Sequence, residues 1–268
     1  MSTIDREKVG RSFGRRAGEY DRHAVVQKRV VERLMEQLVA VPAPGAILDI
    51  GTGTGMLLGR LADRFPVSRA VGIDLSPAMA EAALANLAGR GNVRILAADA
   101  EQLPFADNSF DLVVSSSTFQ WLETLHQAFT EAHRVLSPGG SFRFALFGAQ
   151  TLWELKAAYR QAMAACGDGI DRTHRFMGVD DVLTALQDCG FADCAVHTEL
   201  ETEYHADARA VLRAIKRVGA GNASAVPTNG LAGRCVTQEM LSIYDREYGC
   251  DGLVPATYEV IYGRGVKT

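Results

Sequence analysis

Between Asp5 and Leu38 apolar residues recur at helical spacing, with Val26, Val30, Leu34 and Leu38 on one stripe, and Val41-Pro42-Ala43-Pro44-Gly45 then breaks the pattern. The spacing predicts a helical N-terminal segment followed by a linker. From Ala46 the period changes. Short apolar runs at Ala46 to Ile50, Ala70 to Ile73, Val93 to Ala97, Leu112 to Ser115 and Ser141 to Phe147 read as strands. Amphipathic stretches at Met56 to Arg64, Pro77 to Leu87 and Leu125 to Leu136 separate them, the last closed by Ser137-Pro138-Gly139-Gly140. Alternating strands and helices imply parallel pairing with right-handed crossovers.

Beyond Phe147 the alternation loosens. Helical patterns occupy Leu152 to Ala165, Val179 to Cys189, Ala208 to Val218 and Thr237 to Tyr248, and Ala192 to Glu201 and Thr257 to Gly263 read as strands returning to the sheet. Gly219 to Gly233, rich in Gly, Asn, Ala and Ser, reads as a loop. The expected architecture is α/β: a doubly wound, mostly parallel seven-stranded sheet. Residues 1–41 form a helical lid, 42–147 the nucleotide-binding core, and 148–268 a helical substrate lid together with the closing strands.

Composition narrows the setting. With 268 residues, 47% of them hydrophobic, the chain can bury a large core, and a formal net charge of -4 leaves partner charge to be read locally. The five cysteines form no C-x-x-C pair, which argues against a zinc ribbon or dithiol centre and favours free thiols in a reducing compartment. No apolar window has the length of a membrane span, so a cytoplasmic protein is expected.

The chemistry starts at Asp49-Ile50-Gly51-Thr52-Gly53-Thr54-Gly55, where glycines let backbone turn sharply and approach a ligand. A dinucleotide fingerprint would place a small residue where Met56 stands. Asp74, ending the second strand, is placed to accept both hydroxyls of a ribose, in NAD as well as in other adenosine cofactors. Asp74 could equally cap the helix beginning near Ser76-Pro77. Asp99 follows the third strand, where a carboxylate can reach an adenine amino group.

Five segments, D-x-G-x-G-x-G, G-x-D-L-S, D-A-E-x-L-P-F, F-D-L-V and R-V-L-x-P-G-G, stand in order over Ala46 to Phe147. In them the chain resembles the class I S-adenosylmethionine-dependent methyltransferases. The resemblance implies S-adenosyl-L-methionine as methyl donor and S-adenosyl-L-homocysteine as product. It implies that Asp49, Gly51, Gly53 and Gly55 face the methionine part, Asp74 the ribose, Leu75 the adenine face, Asp99 and Ala100 the adenine, and Ser115 the transferable methyl. No Asn-Pro-Pro-Tyr-type sequence ends strand four, which argues against methylation of nucleic-acid bases.

Outside that core, Phe13 to Gln27, Phe119-Gln120-Trp121, Thr151 to Leu155, Leu212 to Ala220 and Thr257 to Gly263 resemble the malonyl-carrier-protein O-methyltransferases of biotin synthesis. Asp171-Arg172-Thr173-His174-Arg175-Phe176 departs from that family's usual His and Asn before Phe. The resemblance implies a methyl ester formed on the free carboxylate of a malonyl thioester. A carboxylate of pKa near 4 is already ionised at neutral pH, so alignment suffices without a general base. The candidates are Arg175 or Lys216 as the cation, Tyr20 and His23 as donors from the lid, Gln120, Trp121 and Phe176 as walls, and Gln27 beside the cofactor. For each there is an ordinary structural role as well: a tryptophan after a strand is usually core, and a helix lysine usually solvated.

The implied partner is an acidic acyl carrier protein, with malonyl-coenzyme A as a surrogate, no nucleic acid or membrane, and a monomer or weak dimer. Arg6, Lys8, Arg11, Arg15, Arg16, Arg22, Lys28, Arg29 and Arg33, with Arg209, Arg213, Lys216 and Arg217, supply candidate docking surfaces. The competing readings are a quinone-pathway C-methyltransferase or other small-molecule O-methyltransferase, an NAD(P)-dependent dehydrogenase, and a silent binding module.

Overall fold

Seven strands pair into one sheet: β1 (Ala46–Ile50), β2 (Arg69–Asp74), β3 (Val93–Ala97), β4 (Phe110–Ser116), β5 (Leu136–Phe147), β6 (Ala192–His205) and β7 (Val254–Val266). The computed structural model describes residues 4–39, 41–166, 173–220 and 231–268. Strand order is β3-β2-β1-β4-β5-β7-β6. The first five strands are parallel, and β7 runs antiparallel between β5 and β6, so the doubly wound, mostly parallel expectation is met. The order reverses between β1 and β4, and such a switch point opens a crevice at the carboxyl ends of the strands.

Successive strand residues point to opposite faces, and helices cover both. On one face Leu48, Val113, Phe142 and Phe144 pack against Phe129 of α6 (His126–Val135) and Leu186 of α8 (Val179–Asp188). On the other, Ile47, Leu112, Ala145 and Tyr262 pack against Val30 and Leu34 of α3 (Val25–Gln37) and Leu57 and Leu61 of α4 (Met56–Arg64). The stripe read in the N-terminal segment is therefore core. α5 (Pro77–Asn86) flanks β2 and β3. A separate core joins α7 (Trp153–Cys166), α9 (Ala208–Arg217) and α10 (Leu231–Tyr248) through Ala158, Ala162, Val211, Met240 and Tyr244.

Several boundaries differ from the sequence reading. The N-terminal segment is three helices: α1 (Arg6–Gly14), α2 (Tyr20–His23) and α3, interrupted by turns over Arg15 to Glu19 and by the non-helical Ala24 (φ -81, ψ 56). Ser137 to Gly140 does not form a free turn. The Gly139 N–H donates to Lys267 O and the Lys267 N–H to Gly140 O, so the chain end draws the segment into β5. α10 begins at Leu231, six residues before the expected start at Thr237. Of the expected loop Gly219 to Gly233, residues 221–230 lie outside the described residues, as do Asp171 and Arg172.

The free-thiol expectation fails for two cysteines. Cys166, ending α7, is disulfide-bonded to Cys235 of α10 across 69 residues of sequence, a pairing that only the packing of these two helices reveals. Cys189, Cys194 and Cys250 are free. Closing so long a loop removes unfolded-state entropy worth at most about 4 kcal/mol. Reduction, or Cys235→Ser, is expected to lower the unfolding midpoint by several degrees without removing the sheet, read by calorimetry and far-ultraviolet circular dichroism.

Candidate active site

The turn after β1 is built around glycine. Gly51 (φ 72) and Gly53 (φ 57) take left-handed backbone, and a Cβ on Gly51 would collide with the Thr118 side chain, whereas one on Gly53 would meet no protein atom. Gly53 thus presents bare backbone to the crevice. Its N–H donates to Asp74 Oδ2 at 2.9 Å, and the Ser76 N–H donates to Asp74 Oδ1 at 2.8 Å. Asp74 therefore does more than cap the following helix: it ties the glycine turn to the end of β2. Each of its oxygens keeps a further lone pair for a ligand hydroxyl. Burial pushes its carboxyl upward, and the two N–H donors pull it partly back.

Asp49 lies beneath this turn. It is buried and accepts a hydrogen bond from Thr52 Oγ1 at 2.8 Å, and desolvation pushes its carboxyl up to about 7 against that bond. It shapes the turn from behind and does not itself line a cavity. Gly55 (φ 88) starts α4 and packs its bare Cα toward Leu87, also away from the crevice.

Two cavities open here. The first, of about 120 Å³, is lined by Gly51, Gly53, Asp74, Leu75, Ala98 and Ala100 below and by Arg6, Val9, Gly10 and Phe13 of α1 above. Arg6 reaches across it to ion-pair with both Asp99 and Glu101. The second, of about 430 Å³, is enclosed by α7, α9 and α10 and is largely apolar, with Leu152, Leu155, Tyr159, Leu212, Ile215, Val236 and Met240 on its wall. Lys156 lies on α7 between Leu155 and Tyr159, which line the same cavity. Its ammonium lies 4.6 Å from the Phe176 ring centroid and donates to Ala149 O at 3.1 Å.

Four residues line both cavities: Phe13, Tyr20, Ser117 and Trp121. Phe13 packs edge-on against Tyr20 at 6.2 Å and against Trp121 at 5.5 Å. Ser117 adopts φ 56, an unusual conformation for a residue with a side chain, held by its N–H donating to Ala145 O at 2.8 Å. Ser116 Oγ, Ser117 Oγ, Gln120 Oε1 and Trp121 Nε1 are buried with no hydrogen-bond partner in the protein. Buried polar groups are ordinarily satisfied, so a cluster of unsatisfied ones at a cavity junction marks where ligand atoms belong. Burial, reinforced by Asp21 and Asp74, raises the Tyr20 hydroxyl well above its usual range, so it stays protonated. His174 bonds Gln120 O at 2.9 Å, packs on Trp121 at 5.2 Å, and has its pKa lowered by burial.

The expected site residues separate accordingly. Gly51, Gly53, Asp74, Leu75 and Ala100 line the first cavity, Gln27, Gln120, Phe176 and Lys216 the second, and Tyr20 and Trp121 both. Ser115 is displaced from its expected place: it is fully buried, its Oγ donates to Ile50 O at 2.8 Å, and Ser116 and Ser117 face the ligand space instead. Arg175 is exposed and lines neither cavity; nor does His23. Gln27 opens on the second cavity, away from the expected cofactor position. Asp99 turns its carboxylate to Arg6. Sequence reading missed Lys156, although a lysine inside an apolar i, i+4 stripe is itself a sign of an inward-pointing charge. It also missed Phe13 and Ser117, and it placed Arg6 on the docking surface.

The donor set of the first cavity suits an adenosyl group: a carboxylate for vicinal hydroxyls, bare glycine backbone, and small and apolar side chains around a ring. Residues 48–144 match the methyltransferase domain family model. Over 98% of this chain and all of the relative, the sequence is 52% identical to a malonyl-[acyl-carrier protein] O-methyltransferase of Geobacter sulfurreducens. It is 39% identical to the enzyme of that name from Laribacter hongkongensis over 97% of this chain and 88% of the relative. Among solved structures, a Haemonchus contortus phosphoethanolamine N-methyltransferase 2, crystallised with S-adenosylhomocysteine, superposes with TM-score 0.57 at 18% identity, covering 88% of this chain and 52% of that one.

The raised Asp49 carboxyl gives a signed prediction. Between its unfolded value near 4 and its folded value of about 7 the native state binds the extra proton, so stability falls as pH rises from about 4 to about 7 and levels off above that. Asp49→Asn is expected to flatten that decline, measured as unfolding midpoints at pH 4.5 and pH 7.5. An equal decline in both proteins would assign the pH dependence to other groups.

Proposed function

This chain belongs to the family of malonyl-[acyl-carrier protein] O-methyltransferases, and from that premise we propose that it methylates the free carboxylate of a malonyl thioester carried by an acyl carrier protein. S-adenosyl-L-methionine, bound in the first cavity, supplies an electrophilic methyl group on a sulfonium. One observation carries the reading: the adenosine-type cavity and the large apolar cavity meet at Phe13, Tyr20, Ser117 and Trp121, beside buried donors that have no protein partner.

The chemistry of the junction favours a carboxylate over other acceptors. Tyr20 stays protonated and can only donate or accept a hydrogen bond, and His174 is a weakened base already bonded to Gln120 O. An amine, phenol or carbon acid would have to lose a proton there. A malonyl carboxylate arrives ionised and needs only to be held in line. Trp121 Nε1–H and Ser117 Oγ–H are free to hold it, and neutral donors fix an oxygen without quenching its nucleophilicity as a tight ion pair would. Phe13, Tyr20 and Trp121 also surround the junction with aromatic faces and edges that suit a sulfonium and exclude water.

Asp74 anchors the donor through its ribose, and the apolar walls from α7, α9 and α10 take the acyl chain and the arm behind it. The cation expected at Arg175 or Lys216 is replaced in this reading by Lys156, whose ammonium borders the second cavity while bonded to Ala149 O. The product ester has lost its negative charge, so the donors that held the substrate release it. In this role the ester feeds the biotin route, and the enzyme works in the cytoplasm.

Incubation with methyl-labelled S-adenosyl-L-methionine and malonyl-, succinyl- or acetyl-loaded carrier protein is expected to give a base-labile methyl ester on the malonyl form. Methylation of some other acceptor while malonyl carrier protein stays unlabelled would sink the proposal. Trp121→Phe should raise KM for the malonyl substrate roughly ten-fold or more, the cost of one hydrogen bond to a charge, while S-adenosylhomocysteine affinity by calorimetry stays within a few-fold.

A further inference from the structure

Several cations of the expected docking faces are already engaged. Arg11 pairs with Glu7, Arg29 with Glu201, Arg33 with Glu199, and Arg213 with Asp207. Three are not. Arg15 and Arg16, in the turn after α1, and Lys216, near the end of α9, have no carboxylate partner among the described residues, and with Ser12 they line a third cavity of about 410 Å³. They are brought together across 200 residues of chain by a specific joint. Ser12 Oγ donates to Gly219 O at 2.9 Å, and Gly219 (φ 80) sits so close that a Cβ there would stand 3.0 Å from Phe13 Cα.

Lys216 also lines the large apolar cavity, so the cationic cavity and the acyl cavity share a wall. The sequence of surfaces is therefore ordered: aromatic junction, apolar channel, then three cations at the rim. Resting on the carrier-protein reading above, we propose that Arg15, Arg16 and Lys216 form a subsite for the phosphodiester of the phosphopantetheine arm. That arm has the matching order of groups: a thioester, an uncharged chain, and one phosphate where it joins the carrier. Two guanidiniums and an ammonium can bracket a phosphate from three directions, with guanidinium geometry suited to two oxygens at once. Lys216 thus serves the far end of the substrate, not the reacting carboxylate.

The test uses two free thioesters that differ by one group, malonyl-4′-phosphopantetheine and malonyl-pantetheine, with the full-length enzyme. Wild-type KM is expected to be at least ten-fold lower for the phosphorylated compound, an advantage that shrinks as salt rises. In Arg15→Gln/Arg16→Gln that ratio should fall toward one through loss on the phosphorylated compound, and Arg15→Lys/Arg16→Lys should restore part of it. Both side chains are exposed, so an unchanged unfolding midpoint is expected for both variants. A ratio near one in the wild type, or a ratio unmoved by the glutamine pair, overturns the subsite while leaving the methyl transfer intact. Failure of the wild type to methylate either thioester, or malonyl carrier protein, removes the reading beneath it and the subsite with it.

Discussion

The two hydrogen bonds that the Asp74 carboxylate accepts from Gly53 and Ser76 hold together everything the crevice does. A parallel sheet brings the ends of β1 and β2 side by side, but it does not fix the loops that leave them. One carboxylate spanning both loops does, and burial makes the bond matter more, because an unmatched charge there would be costly. The lid is set on the same frame: Thr54 Oγ1 donates to Asp21 Oδ1 of α2 at 2.7 Å, and Arg6 of α1 reaches the acidic loop after β3. Turn, roof and floor are thus registered against one another.

From that frame follows a division of labour between the two ligand cavities. The one over the sheet is small, with the Gly51 and Gly53 backbone and the Asp74 carboxylate in its lining. The one under α7, α9 and α10 is larger and greasy, and it is made by elements that pack chiefly on each other. The proposed chemistry lies at the seam, where aromatic rings and polar groups without protein partners meet and acids and bases do not. An enzyme whose acceptor arrives ionised has no use for a proton relay, and the weakened His174 and protonated Tyr20 accord with that economy.

The sheet was legible because its runs are nearly all apolar and are spaced by helices of ordinary length. The glycine turn and Asp74 were legible because a left-handed turn requires glycine and one carboxylate ties that turn to the end of β2. The lid was harder. Its residues act through tertiary neighbours: Arg175 looks like a substrate cation in the sequence but faces solvent, and Ser115 looks exposed at a strand end but bonds the carbonyl of the adjacent strand. Phe13 and Ser117 draw their importance from lying between two cavities, which no spacing rule encodes. The disulfide was illegible for the same reason, since its cysteines are neighbours only once α7 lies on α10.

β7 enters the sheet between β5 and β6 although it is last in the chain. While a ribosome is still making the protein, β6 therefore has no partner to join and β5 keeps an open edge. Unpaired edges invite pairing with other chains, and long-range strand insertion is slow. Until residues 254–266 are in place, the facing edges of β5 and β6 leave backbone donors and acceptors open to other chains.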